Sequence, residues 1–297
     1  MGIQNKIAPL AKLDSADDLP VQAVNRVVTI IRPSKGCVPL ELRELWEYRD
    51  LLYLFVWRDL KVRYKQTMVG ASWAIFQPFI TMVVLSIFFG KLIRVPSEGI
   101  PYPIFAYTAL VPWMYFVNAL TQSSNSLLLN NMLITKIYFP RLIIPIATVI
   151  TGLLDFVIAF AILLGMMLIY GTVPTAAIWT LPFFIVLTIA TALALGLWLS
   201  ALNVEYRDVR FILPFLTQIW FFVTPVAYPS SLVPEPWRAI YGLNPMAGVV
   251  EGFRWALLGK AQPPNIMLVV SAIVVIGLLI GGLYFFRYKE NKFADVI

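Results

Sequence analysis

The chain has 297 residues, of which 60% are hydrophobic, 14% aromatic and 13% charged, with a formal net charge of +7. Soluble domains are about 45–50% apolar and about 25% charged, so this composition excludes an ordinary soluble enzyme and a disordered or collagen-like chain. One cysteine, Cys37, precludes an internal disulfide, and the lack of histidine removes His-based acid–base chemistry, metal ligation and triads. The chain is expected to be an integral membrane protein.

Residues 1–40 hold Asp14, Asp17, Asp18 and four prolines without the apolar run of a signal peptide. They read as a cytoplasmic extension with at most a short strand at Val27–Ile31. Residues 41–66 place Leu42, Leu45, Trp46, Leu52, Tyr53, Val56 and Leu60 at helical spacing, with Arg58, Lys61 and Lys65 at i, i+3 and i+7. This predicts an amphipathic helix on the membrane surface. Two roles are open to its basic end: anchoring to lipid headgroups, which periodicity favours, or gripping a phosphate on a substrate.

Uncharged runs of 25 residues (Gln66–Gly90), 37 (Gly99–Thr135), 24 (Phe211–Pro234) and 26 (Ala261–Phe286) mark the membrane. A helix needs about 20 apolar residues to cross it. Six spans are expected, near 72–92, 105–129, 142–170, 178–202, 210–228 and 265–286. Trp73, Trp113, Trp179 and Trp237 are expected in interfacial belts. The proline- and glycine-rich stretch 229–262 predicts two short re-entrant or interfacial helices, near 235–242 and 245–258, with Asn244 as N-cap, Pro245 at the first helical position and Gly259 as the stop. Thirteen Lys and Arg fall on the side of both termini against five (Lys91, Arg94, Arg238, Arg254, Lys260) on the other, which places both ends in the cytoplasm.

Three features invite functional readings. The connection NNMLITKIYFPRL at 130–142 is unusually apolar and rimmed by Lys136 and Arg141. Docking to another protein and folding back into the interface are both open to it. Asp155 falls near the middle of the third span, where a carboxylate is costly. No Lys or Arg lies at another span centre, so a helix–helix hydrogen bond is expected rather than a salt bridge, with an ion or proton site as the alternative. Glu205 and Asp208, flanked by Arg207 and Arg210, read as a salt-bridged loop. No phosphate-binding loop, metal motif or nucleophile elbow occurs, so uphill transport would draw its energy from a partner or an ion gradient.

Four stretches, RDLKVRYKQTMVGASWAIFQP (58–78), NNMLITKIYFPRLIIP (130–145), NVEYRDVRFILPFLTQIWFFVTPVAYP (203–229) and NPMAGVVEGFRWALLG (244–259), together resemble the permease subunits of ABC-2-type polysaccharide exporters, the O-antigen and teichoic-acid export group. The likeness runs in order over most of 41–290. It implies an all-α membrane protein with six transmembrane helices over 67–290, an interface helix at 41–66, outer gate helices at about 229–262 and a cytoplasmic tail at 291–297. It implies a homodimer in the bacterial inner membrane, paired with two copies of a cytoplasmic ABC ATPase that binds ATP and Mg, no cofactor or catalytic residue in this chain, and a polymer on a polyprenyl-diphosphate lipid as cargo. Under that likeness Arg58, Lys61, Arg63 and Lys65 would meet the diphosphate at the cytoplasmic entrance. Leu133, Lys136, Ile137, Tyr138 and Phe139 would couple to the ATPase, and Trp237, Tyr241, Phe253 and Trp255 would belong to the outer gate. A teichoic-acid exporter, an ion-coupled carrier using Asp155, and a membrane-embedded glycosyl- or acyltransferase are the rival expectations; the lack of histidine and of clustered carboxylates counts against the last.

Overall fold

The structure, a computed structural model, describes residues 42–65, 68–259 and 266–296. The expectations for residues 1–40, including the strand at Val27–Ile31, and Cys37 lie outside the described residues. Among the described residues every regular element is helical.

Helices α1 (Leu42–Glu47) and α2 (Arg49–Lys65) form the surface segment. They are followed by α3 (Met68–Leu85), which continues as π-helix over Ser86–Leu92, and by α4 (Tyr102–Leu129). The short α5 (Asn131–Lys136) leads to α6 (Ile143–Thr151) and α7 (Leu153–Ile169), two consecutive pieces of the third span that meet at Gly152. Then come α8 (Leu181–Glu205), α9 (Val209–Val223), α10 (Glu235–Tyr241), α11 (Pro245–Leu258) and α12 (Ile266–Val296). Helix α12 runs through the boundary drawn at residue 290 without a break.

Five helical stretches are long and apolar enough to cross a membrane: Ser72–Leu92, Tyr102–Leu129, Ile143–Ile169, Ala176–Glu205 and Ile266–Glu290. The expected span at 210–228 is shorter. Helix α9 has 15 residues, and Pro225 forces Thr224 into an extended conformation (ψ 141°) that ends it. At 1.5 Å per residue α9 reaches about 22 Å, less than the roughly 30 Å of hydrocarbon. Six crossings are compatible with this fold if the chain beyond Thr224 completes the fifth.

Helix α4 is the central pillar. It packs against α3, α6, α7, α8, α9 and α11, and nearly every residue from Tyr102 to Leu120 on it is buried. Trp113, expected in an interfacial belt, lies inside the bundle 5.6 Å from Phe116 and 5.7 Å from Phe221, whereas Trp73, Trp179 and Trp237 are exposed. Hydrocarbon tails are as apolar as leucine, so helices in a bilayer associate through close packing rather than through expulsion of water. Accordingly, small residues sit where backbones meet. Gly196 of α8 faces Ser123 of α4, and Gly252 of α11 lies under the ring of Phe184 of α8, where an added Cβ would come within 2.0 Å of the ring. A second apolar cluster joins Phe55 of α2 to Leu127, Ile134, Phe139, Leu142, Leu197, Phe286 and Phe293, and so fastens the surface helix and α5 to the bundle.

The face that α1 and α2 bury matches the sequence pattern only in part, with Leu45, Leu52 and Val56 of the expected stripe turned inward. Tyr48, Leu51, Leu52, Phe55 and Val56 pack inward, while Trp46 and Tyr53 are exposed. The surface helix has apolar residues on both sides because one side meets the bundle and the other is open to its surroundings.

Replacing Gly252 by Ala is expected to destabilise the protein by about 1–3 kcal/mol through overpacking against Phe184. Gly277→Ala, at a position where an added Cβ meets nothing within 4 Å, leaves stability unchanged. Thermal unfolding of both variants in detergent checks this contrast.

Candidate functional site

The four basic residues at the end of α2 divide into two pairs. Arg58 donates to Asn130 at 2.9 Å, pairs with Asp59 at 2.8 Å and lies 4.8 Å over the ring of Phe55. Arg63 forms an ion pair with Asp155 at 2.5 Å and donates a hydrogen bond to Gln122. Both of these arginines tie α2 to the spans. Lys61, stacked 5.1 Å over Trp57, and Lys65 are exposed.

Asp155 is therefore ion-paired, where a hydrogen bond without a salt bridge was expected. The cation comes from the surface helix, not from another span, and a search for charges at span centres could not find it. Tyr64 donates a second hydrogen bond to the same carboxylate. Burial and that bond push its phenol up to about 12, so it stays a donor at neutral pH. Asp155 lies in the first turn of α7, just after Gly152, where the end of α2 reaches it.

The segment 131–139 presents two faces. Ile134 and Phe139 are buried, Phe139 edge-on to Phe55 at 5.6 Å, and Leu133 is partly buried with them. Met132, Lys136, Ile137 and Tyr138 point outward. The exposed patch is thus narrower than the apolar run in the sequence, because half of the run is used to hold α5 in place. Just beyond it, the backbone N–H of Arg141 donates to Glu290 of α12 at 2.9 Å, and Glu290 also pairs with Arg287 at 3.0 Å. Glu205 pairs with Lys289 at 2.6 Å, which ties the 205–208 loop to α12 and replaces the local arginine pairing expected for it.

At the other end of the molecule, α10 and α11 match the expected short helices. The side chain of Asn244 accepts from the Met246 N–H at 3.1 Å, Pro245 opens α11, and Gly259 closes it in the left-handed conformation (φ 67°). The element that the sequence pattern does not reveal is Arg254. It is 1% exposed, yet its guanidinium donates to the carbonyls of Pro225 (2.6 Å), Val226 (2.7 Å) and Tyr228 (3.1 Å), pairs with Glu251 (3.0 Å) and lies 3.6 Å over the ring of Phe105. Asn244 adds a second clasp: its Oδ1 accepts from Trp220 at 2.8 Å and its amide donates to Thr224 at 2.9 Å. The four expected gate residues separate. Trp237 and Tyr241 line one cavity of about 480 Å³ with Trp220 and Asn244, and the Tyr241 hydroxyl lies 2.7 Å from that of Tyr228. Phe253 is buried against Phe156 and Phe184, and Trp255 packs on the core.

A double-mutant cycle tests the Arg63–Asp155 latch. Asp155→Asn and Arg63→Gln each lower stability, and the double variant loses less than the sum. The side chains are 21% and 20% exposed, so a coupling toward the lower end of the ~0.5–3 kcal/mol range for contacting residues is expected. Additive losses in detergent unfolding would show that the two side chains do not act as a pair.

The sequence has counterparts among known proteins. A family model described as "ABC-2 type transporter" matches residues 50–258, from the first turn of α2 to the end of α11. An O-antigen export system permease protein, RfbA, of Myxococcus xanthus is 31% identical over 259 residues, covering 86% of this chain and 98% of the relative. RfbA of Klebsiella pneumoniae is 28% identical over 249 residues, covering 84% and 95%. The polysialic acid transport protein KpsM of Escherichia coli is 25% identical over 239 residues, covering 79% and 91%. This multi-pass membrane protein belongs to the ABC-2 type transporter family.

Proposed function

We propose that the chain is the permease subunit of an ABC transporter that exports a lipid-linked polysaccharide of the O-antigen type across the bacterial inner membrane. The observation that carries the reading is the nearly end-to-end similarity to permeases named for O-antigen export and polysialic acid transport. ATP and Mg are bound by a separate cytoplasmic ATPase, and two copies of each chain assemble. The excess of Lys and Arg at the ends of the spans on one side supports a cytoplasmic position for α2, α5 and the end of α12.

Each part then has a physical task. The exposed patch of Met132, Lys136, Ile137 and Tyr138 docks on the ATPase, and buried Phe139 and Ile134 pass its movement to α2 through Phe55. Lys61 and Lys65 attract the diphosphate of the lipid carrier, as flexible point charges suit phosphate. Arg58 and Arg63 hold the helix in position for them. Helices α10 and α11, clasped to the end of α9 by Arg254 and Asn244, form the exit gate. The ion-coupled alternative loses its main support, since Asp155 is engaged by Arg63 and Tyr64.

Deleting the gene is expected to remove a surface polysaccharide and to accumulate diphosphate-linked polymer on the cytoplasmic side, and the wild-type chain restores export. Ile137→Asp restores neither export nor copurification of the ATPase although the protein reaches the membrane. Unchanged surface glycans on deletion would refute the export reading. Separately, Lys61→Gln combined with Lys65→Gln is expected to lower export several-fold while the ATPase still copurifies; full export by that variant would remove the diphosphate role.

A further inference from the structure

Helix α12 packs against α5, α8, α10 and α11, so one rod touches both the docking segment and the exit helices. It runs unbroken from Ile266 to Val296 and contains no proline. Sharp bends in a helix come from proline, glycine pairs, bulges or inserted groups. Gly281 and Gly282, where α12 would bend most easily, lie against Trp198 of α8.

Each end of this rod carries a buried polar joint. On the exit side, the hydroxyl of Ser271 (0% exposed) donates to the Gly242 carbonyl at 2.9 Å, in the turn between α10 and α11. A Cβ added to Gly248 would come within 2.6 Å of that hydroxyl, so α11 and α12 meet closely there. On the cytoplasmic side, Glu290 (9% exposed) accepts the Arg141 N–H at 2.9 Å on one oxygen and Arg287 at 3.0 Å on the other. The Arg141 guanidinium donates in turn to the Glu290 carbonyl. Lys289 in the same turn holds Glu205, so the connections at 130–142 and 205–208 both end on one turn of α12.

Apolar packing is non-directional and lets surfaces slide, whereas a buried hydrogen bond is directional and costly to leave unmade. Both joints also terminate on backbone groups, the Arg141 N–H and the Gly242 carbonyl, so they follow the chain itself rather than a flexible side chain. Ser271 and Glu290 are 19 residues apart, about 28 Å along a helix, close to the roughly 30 Å of hydrocarbon. We propose that α12 is a strut that carries movement of the ATPase-docking segment to the exit helices, with Glu290 and Ser271 as the positioning residues of its two joints. The proposal rests on the permease reading of α5, α10 and α11.

Two measurements test it. In the deletion strain, failure of wild type to restore the surface glycan sinks the export reading and the strut with it. Given restoration, Glu290→Ala and Ser271→Ala each lower surface glycan several-fold, while the copurified complex with the ATPase still hydrolyses ATP within about twofold of wild type. Glu290→Gln recovers most of the loss, because its carbonyl still accepts the Arg141 N–H. Full export by both alanine variants would overturn the strut alone. Since Glu290→Ala can also disturb assembly, the second measurement uses the other joint. In the purified complex, a Cys37→Ser chain carrying Leu243→Cys, at an exposed position beside Gly242, is labelled with a water-soluble maleimide. ATP is expected to change the labelling rate of this chain several-fold, and Ser271→Ala to abolish that change. No response to ATP, or the same response with Ser271→Ala, would overturn the proposal.

Discussion

Within hydrocarbon a polar group has no water to turn to, so every carbonyl, carboxylate and guanidinium that enters the membrane region must find its partner inside the protein. Much of this structure follows from that constraint. The chain after α9 cannot remain helical past Pro225, which strips its carbonyls of their partners. Arg254 supplies the missing donors from α11, and Glu251 balances its charge while accepting from the Ser230 N–H at 3.2 Å. One buried arginine thus lets an irregular turn, two short helices and the end of α9 form a single unit. Leaving buried carbonyls and a carboxylate unpaired would be far more costly than the ordinary contacts around them.

The same constraint operates at the opposite end through Asp155. An unpaired carboxylate on α7 would be expensive, and α2 answers it with Arg63 and Tyr64. Together with Arg58–Asn130 and Phe55–Phe139, this gives the surface helix three separate attachments: to α7, to the end of α4 and to the segment following α5. A displacement of α5 therefore cannot leave α2 behind. Under the proposed function, that linkage would join the surface that docks on the ATPase to the surface that first meets the cargo.

Packing fills the space between these two polar anchors. Trp113 meets Phe221 and Phe116 meets Trp220 edge-to-face, with Trp113 tilted against Phe116, while Gly196 and Gly252 let α8 approach α4 and α11 closely. A cavity beside α3 interrupts this dense core. Its polar wall is shared by Gln77 of α3, Asn118 and Gln122 of α4, and Asp155 of α7.

Five of the span positions, the two short helices and their caps were legible in the sequence because they depend on local chemistry: apolar length, proline placement, Asn244 as acceptor and Gly259 in a conformation open to glycine. The segments 58–78, 130–145, 203–229 and 244–259 likewise pointed to the transporter family. What the sequence could not decide were pairings across distance. Asp155 looked solitary until a helix about ninety positions earlier in the chain brought Arg63 to it; Arg254 looked like a charge at a membrane face and is instead 1% exposed; Phe139 looked like part of a docking surface and is buried on Phe55. Hydrophobic length and capping are properties of neighbouring residues and are written in their order. Which partner neutralises a buried charge, and which side of an apolar segment turns inward, depend on how the helices cross, and only the tertiary structure decides that.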